Sequence, residues 1–299
     1  MSDTSEEWKV ARRRKGAPKK FKSHQVSSAS SFHQEEHLDV GKLIKIIRDT
    51  ESELRCEDFW SQWKKQLLLA ASGLPESNDT KDHLERNPED TQCQQLECVC
   101  YGLGSFSSCV SARYQLAMLL LLLDAGQIPL QDCSVYDPAF SSAERDVLKE
   151  LGLTVLAENE EGKRQATKPT LFYLMHCGKA LYNNLLWKNW SAQCLTLVVI
   201  IGNSFNGITE RTIERELKRD YSYISKAVGL CEDRPLPCPS HLIDVFSDTA
   251  LITFPSDSLN RLPQSFWAEP PEPQYLHCSD LEIILKQSSL SETPETDDR

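Results

Sequence analysis

The feature that most constrains this chain is the alternation, between residues 96 and 255, of short β-rich runs with helical stretches. The runs read Glu97–Tyr101, Cys133–Asp137, Leu153–Leu156, Thr170–Met175 and Thr196–Ile201. The last, TLVVII, is apolar throughout, as a strand covered on both faces must be. Helical patterns fill the gaps: 107–123, 141–151 (Ser141 and Glu144 spaced as a capping box), 179–187 and an amphipathic stretch over 209–228. Ala250–Phe254 reads as a last, edge strand. Strand–helix alternation of this kind predicts βαβ units, hence an α/β, Rossmann-like fold with a mostly parallel sheet and helices on both faces.

Around this core the composition changes. Residues 1–36 are rich in Ser, Lys and Arg and are expected to be a disordered basic tail. Residues 37–73 carry Val40, Leu43, Ile44, Ile46 and Ile47, then Phe59, Trp60, Trp63, Leu67 and Leu68, at helical spacing, which predicts a helical segment packed on the main domain. Residues 74–95 read as an acidic linker, 96–255 as the main domain and 256–299 as a mostly disordered tail, with one short element expected over Cys278–Lys286.

Charge and cysteine usage narrow the function classes. Residues 1–22 hold eight Lys or Arg against three acids, a local charge of +5, so the rest of the chain carries −16 of the net −11. An acidic body is a poor surface for phosphate backbones, so direct nucleic-acid binding is not expected. The basic run RRRKGAPKK reads as a solvated tail or a nuclear-import signal. Eleven cysteines without regular spacing do not describe a disulfide framework, and no apolar leader follows Met1. These features predict reduced thiols and a cytoplasmic protein that also enters the nucleus. The run LAMLLLLL at 116–123 is far short of the ~20 residues a membrane span needs, so it reads as a helix buried on all sides and no membrane association is expected.

Open parallel sheets bind ligands beyond the carboxyl ends of their strands, so the residues following each strand are the candidates. After the first come Gly102, Gly104 and Ser105, half of a G-x-G-x-x-G fingerprint, because position 107 is Ser. They read as a ligand-approach loop or as a tight turn. Asp137 ends the second strand, where dinucleotide and adenosylmethionine folds place the acid that takes the ribose hydroxyls; its alternative reading is a turn cap. The third ends in Glu158, Asn159 and Glu160, then Gly162, the fourth in His176-Cys177-Gly178, and the fifth runs into Asn203 and Ser204. Asn183, on the following helix, reads as a binding amide or a loop bridge. His176-Cys177 and Cys238-Pro239 raise a haem or metal reading, which the lack of any C-x-x-C pair weakens. Cys98-x-Cys100 places two thiols on one strand face, as core.

Five segments also carry a family resemblance: CYGLGSFSSCVSARYQLAMLLLL (100–122), VYDPAF (135–140), LGLTVLAENEEG (151–162), PTLFYLMHCGKALYNNLLWKNW (169–190) and VVIIGNSF (198–205). Together they resemble the "sensitivity to red light reduced" family. The resemblance implies a regulatory protein with roles in circadian-clock input, gene-expression control and haem biosynthesis, and with regulatory protein partners. It implies a Rossmann-like domain with some likeness to methyltransferases and no established reaction. The small-molecule ligands that follow from it are adenosylmethionine or a nucleotide, with haem less favoured.

Overall fold

The computed structural model describes residues 39–75, 96–268, 271–276, 278 and 283. The chain divides into two units, Met1–His37 and Leu38–Arg299, and every described residue falls in the second. The expected basic tail, most of the acidic linker and most of the 278–286 element lie outside the described residues.

Seven strands form one sheet: β1 (Glu97–Tyr101), β2 (Cys133–Tyr136), β3 (Thr154–Val155), β4 (Thr170–Leu174), β5 (Val198–Asn203), β6 (Glu232–Pro235) and β7 (Thr249–Thr253). Their order is β3-β2-β1-β4-β5-β7-β6. The first five run parallel, while β7 is antiparallel to both β5 and β6. The α/β fold class is therefore the one the alternation implied.

Alternate residues of each strand enter different cores, as the strand period of two requires. Cys98, Cys100, Leu171, Tyr173, Val199 and Ile201 face one apolar cluster, with the thiols of Cys98 and Cys100 on the same side. Val99, Tyr101, Phe172, Leu174, Val198 and Ile200 face the other. On the first face lie α1 (Val40–Arg55), α2 (Asp58–Ser72), α3 (Val110–Ala125) and α4 (Ser142–Glu150). There α1 packs on α3 and α4, so α3 lies between the sheet and a further helical layer. This explains LAMLLLLL: every residue from Leu116 to Leu123 is buried. Among the described residues no helix is long and apolar enough to cross a membrane. In α2, Trp63 is fully buried against Phe59 and Phe246, and its indole N–H donates to the Pro237 carbonyl at 2.9 Å.

On the second face lie α5 (Lys179–Lys188), α6 (Ala192–Leu195), α7 (Phe205–Arg211), α8 (Glu214–Asp220) and α9 (Ser222–Ala227). The amphipathic stretch expected as one helix over 209–228 is thus three pieces. Thr212 and Ile213 are extended, and Tyr221 leaves helical geometry at φ −125°. A buried amide makes the second break: Asn183 Oδ1 accepts from the amides of Tyr223 and Ile224, starting α9 with a side chain from α5.

Three other boundaries move. The helix expected from residue 107 starts at Val110, because the Ser107 amide is held by Glu144 instead of by the helix. The third strand shrinks to two residues. The strand near 250 is interior, since β6, whose EDRP sequence carries no apolar signal, lies outside it. Beyond Pro255 the chain is more ordered than expected. It forms a short helix, Ser256–Leu259, and a 3-10 turn, Gln264–Trp267. Tyr275 then hydrogen-bonds Asn183, Asn184 and the Ala180 carbonyl.

Candidate functional site

The sheet reverses its order between β1 and β4, with β2 and β3 on one side and β5 on the other. Such a switch point leaves a crevice outside the carboxyl ends of the strands. Here it holds a cavity of ≈ 300 Å³ lined by Tyr101, Gly102, Tyr136, Asp137, Pro138, Asn159, Gly162, His176, Cys177, Gly178, Leu181 and Ile283.

The glycine loop forms the floor. Gly102 (φ +68°) and Gly104 (φ +76°) both take left-handed backbone conformations that favour glycine. At Gly102 space decides as well: a Cβ there would lie 2.5 Å from the Cys177 sulfur. That thiol donates to the Tyr101 carbonyl at 3.3 Å, so β1 and the turn after β4 interlock.

Two buried carboxylates then fix the loop. Asp137 accepts from the Gly104 amide at 2.8 Å and, through its other oxygen, from the Ala139 amide at 2.7 Å. The ligand and turn readings of Asp137 are therefore not exclusive: it clips the loop and still lines the cavity. Glu144 accepts from the Ser107 amide and the Ser105 hydroxyl, both at 2.8 Å, and completes the capping box with Ser141. Burial alone would raise the Glu144 pKa, but these donors hold its carboxyl below the usual range.

The opposite wall follows β4. His176 sits at φ +51°, unusual for a residue with a side chain. Asn203 holds it there from β5: its Oδ1 accepts from the His176 amide and its Nδ2 donates to the Cys177 carbonyl, each at 3.1 Å. The Gln115 amide meets His176 Nδ1 at 3.3 Å, which leaves Nε2 to donate to the Ser247 carbonyl. Asn159 accepts from the Glu161 amide at 2.9 Å. Nearby, Glu160 accepts from the Tyr101 hydroxyl and from Arg164. Burial, reinforced by Glu160, pushes the Tyr101 phenol far above its ordinary range, so it stays protonated.

Of the residues singled out in the sequence, Gly102, Asp137, Asn159 and His176 line the cavity, with Gly104 and Ser105 in the loop behind it. Asn203 acts from behind His176. Ser204 points elsewhere: it caps α7 and donates to Asp233. Asn183 is fully buried between α5, α9 and Tyr275, and Glu158 is exposed away from the cavity lining. Sequence reasoning missed Tyr101, Tyr136 and Ile283 as lining residues, while Gly162 was read at the end of the third strand. The first two lie inside strands, where alternation marks a residue as core without marking its hydroxyl, and Ile283 lies in the short element expected over 278–286, where nothing local points to the cavity. Among the described residues no group of three or more His, Cys, Asp or Glu could hold a metal ion.

The profile of the SRR1 domain matches residues 71–253, which contain the whole sheet and the glycine loop. The chain belongs to the SRR1 domain family. It is 46% identical over 206 residues to an SRR1-like protein of Mus musculus, covering 64% of this chain and 83% of the mouse protein. An SRR1-like protein of Drosophila melanogaster is 34% identical over 170 residues (56% of this chain, 59% of the fly protein). The Arabidopsis thaliana protein SENSITIVITY TO RED LIGHT REDUCED 1 is 40% identical over 117 residues, 39% of this chain and 42% of its own length. The SRR1 match starts inside α2, so the helical layer over α3 is only partly within it.

Proposed function

We propose that this SRR1-family chain is a regulatory protein whose Rossmann-like domain binds a small molecule at the β1/β4 switch point and presents that state to protein partners. The plant relative's name places it in the response to red light, which supports a signalling role. Circadian-clock input, gene-expression control and regulation of haem biosynthesis are the processes this reading assigns to the chain. The observation that carries it is the cavity, where Asn203 holds His176 in a left-handed conformation opposite a carboxylate-clipped glycine loop. Strained backbone of this kind persists only where its surroundings over-determine it, and it clusters at functional sites.

Asp137 is the group for ribose hydroxyls, with Gly102, Asn159 and His176 around the ligand and Gly104 in the loop behind them. Titration calorimetry with adenosylmethionine, a dinucleotide and haemin tests the reading. Asp137→Ala weakens a ribose ligand by about 1.5–3 kcal/mol, the worth of a charge-assisted hydrogen bond. Gly104→Val abolishes binding: there is room for a Cβ, whose nearest neighbour would be 3.8 Å away, but φ +76° does not suit a branched residue. Equal affinity for wild type and both folded variants rejects the site.

A second reading, an adenosylmethionine-dependent methyltransferase, is favoured by the strand order. An antiparallel β7 beside β5 is how that enzyme class completes its sheet, a likeness of fold alone. Haem ligation by His176 or Cys177 is weaker, since the His176 ring is already engaged by Gln115 and Ser247. We place the protein mainly in the cytoplasm, with nuclear entry through the basic run at 12–20. Imaging of chains with and without residues 1–22 should show the nuclear fraction fall; an unchanged distribution removes that role.

A further inference from the structure

Glycine loops at switch points usually receive anions, because free backbone N–H groups point at the ligand. In this chain two of those donors go to the protein's own carboxylates. The Gly104 amide goes to Asp137, which is 7% exposed, and the Ser107 amide to Glu144, which is fully buried. The basic side chains near the rim are engaged as well: Arg164 on Glu160, and Lys163 on Glu161 and Glu272. Among the described residues no Lys or Arg lines the cavity.

What Asp137 itself still offers is acceptor capacity. Each Asp137 oxygen receives one backbone N–H, and a carboxylate can accept about four hydrogen bonds. A phosphate placed there would meet a like charge with no cation to offset it. A hydroxyl or ammonium would meet an acceptor already held in position.

We infer that the switch-point cavity takes an uncharged or cationic ligand offering hydroxyl or ammonium donors to Asp137, and that it rejects phosphorylated ones. This rests on the cavity being a ligand site, as proposed above, and adds the selection by charge.

The test is calorimetry on the full chain with adenosine, adenosylmethionine and adenosine 5′-monophosphate. Adenosine or adenosylmethionine should bind at least about tenfold more tightly than the monophosphate, since two like charges even ~8 Å apart, across a ribose at a protein surface, repel by more than a tenfold change in affinity requires. Monophosphate binding equal to or tighter than adenosine overturns the charge selection while leaving the ligand site standing. No binding by any of the three overturns both.

Two variants probe the cause. Asp137→Asn, shown folded by its thermal melt, should shift the ratio of affinities toward the monophosphate. Pro138→Lys, also shown folded, adds a cation at an exposed lining position and keeps the Asp137 carboxylate with its Gly104 and Ala139 donors, and should shift it the same way. A ratio unmoved by either folded variant overturns the assignment of selectivity to charge at Asp137.

Discussion

Glu144→Ala is expected to lower the unfolding free energy by about 3–5 kcal/mol, read as a fall in the urea midpoint. The side chain is fully buried and takes three donors: the Ser105 hydroxyl, the Ser107 amide and the Ser141 amide. Alanine leaves both amides without that partner, each at roughly 1–3 kcal/mol, and removes half of the capping box of α4. The same carboxylate predicts a pH dependence. Its folded pKa is depressed, so its stabilisation is fully present above the ordinary glutamate value. It is lost as pH falls through the depressed folded value. Glu144→Gln should therefore flatten the acid limb of a stability–pH curve; a limb identical to wild type would show that the carboxylate carries no such linkage.

Gly202→Ala is expected to cost at least about 3 kcal/mol, although it adds a single methyl group. A Cβ at 202 would lie 2.5 Å from the Leu174 carbonyl oxygen and 2.6 Å from the Tyr182 hydroxyl. The first is backbone of the neighbouring strand and cannot swing away. The second is the bridge that ties the ends of β4 and β5, donating to Leu174 and accepting from the Asn203 amide at 2.8 Å. Because Asn203 in turn holds His176, the damage reaches the cavity wall. A double-mutant cycle with Tyr182→Phe should be less than additive, since removing the hydroxyl relieves one of the two clashes. Strict additivity would show that the hydroxyl is not one of them.

These positions mark where the sequence was legible. TLVVII, LAMLLLLL and the Ser141–Glu144 spacing each carry a local signal, and each became the kind of element or cap expected, although the strand runs Val198–Asn203 instead of 196–201, because Thr196 ends the short helix before it. Gly102, Asp137, Asn159 and His176 were found at strand ends because parallel strands must finish on one rim. What escaped was set by contacts distant in sequence. Asn183 was legible as a polar residue near the rim, yet nothing local reveals that Tyr223, 40 residues on, would claim its oxygen. β6 has no apolar residue to announce it, and it forms because β7 offers a free edge. The single helix read over 209–228 kept its periodicity at Leu217 and Ile224, while Ile213 ended 74% exposed where Thr212 breaks the helix with extended backbone.

The margins of the sheet carry a consequence for assembly. At one end β3 is only two residues long. At the other, β6 presents Glu232, Asp233 and Arg234 and finishes in Pro235, which has no N–H to offer. Short, charged and proline-bearing margins are how natural sheets avoid pairing edge to edge. A second copy of this domain therefore finds no template for cross-chain strand addition on either side. Among the described residues docking is thus left to side chains, on the helical layers or on the carboxyl rim, and crowding should not drive this sheet toward edge-to-edge fibrils.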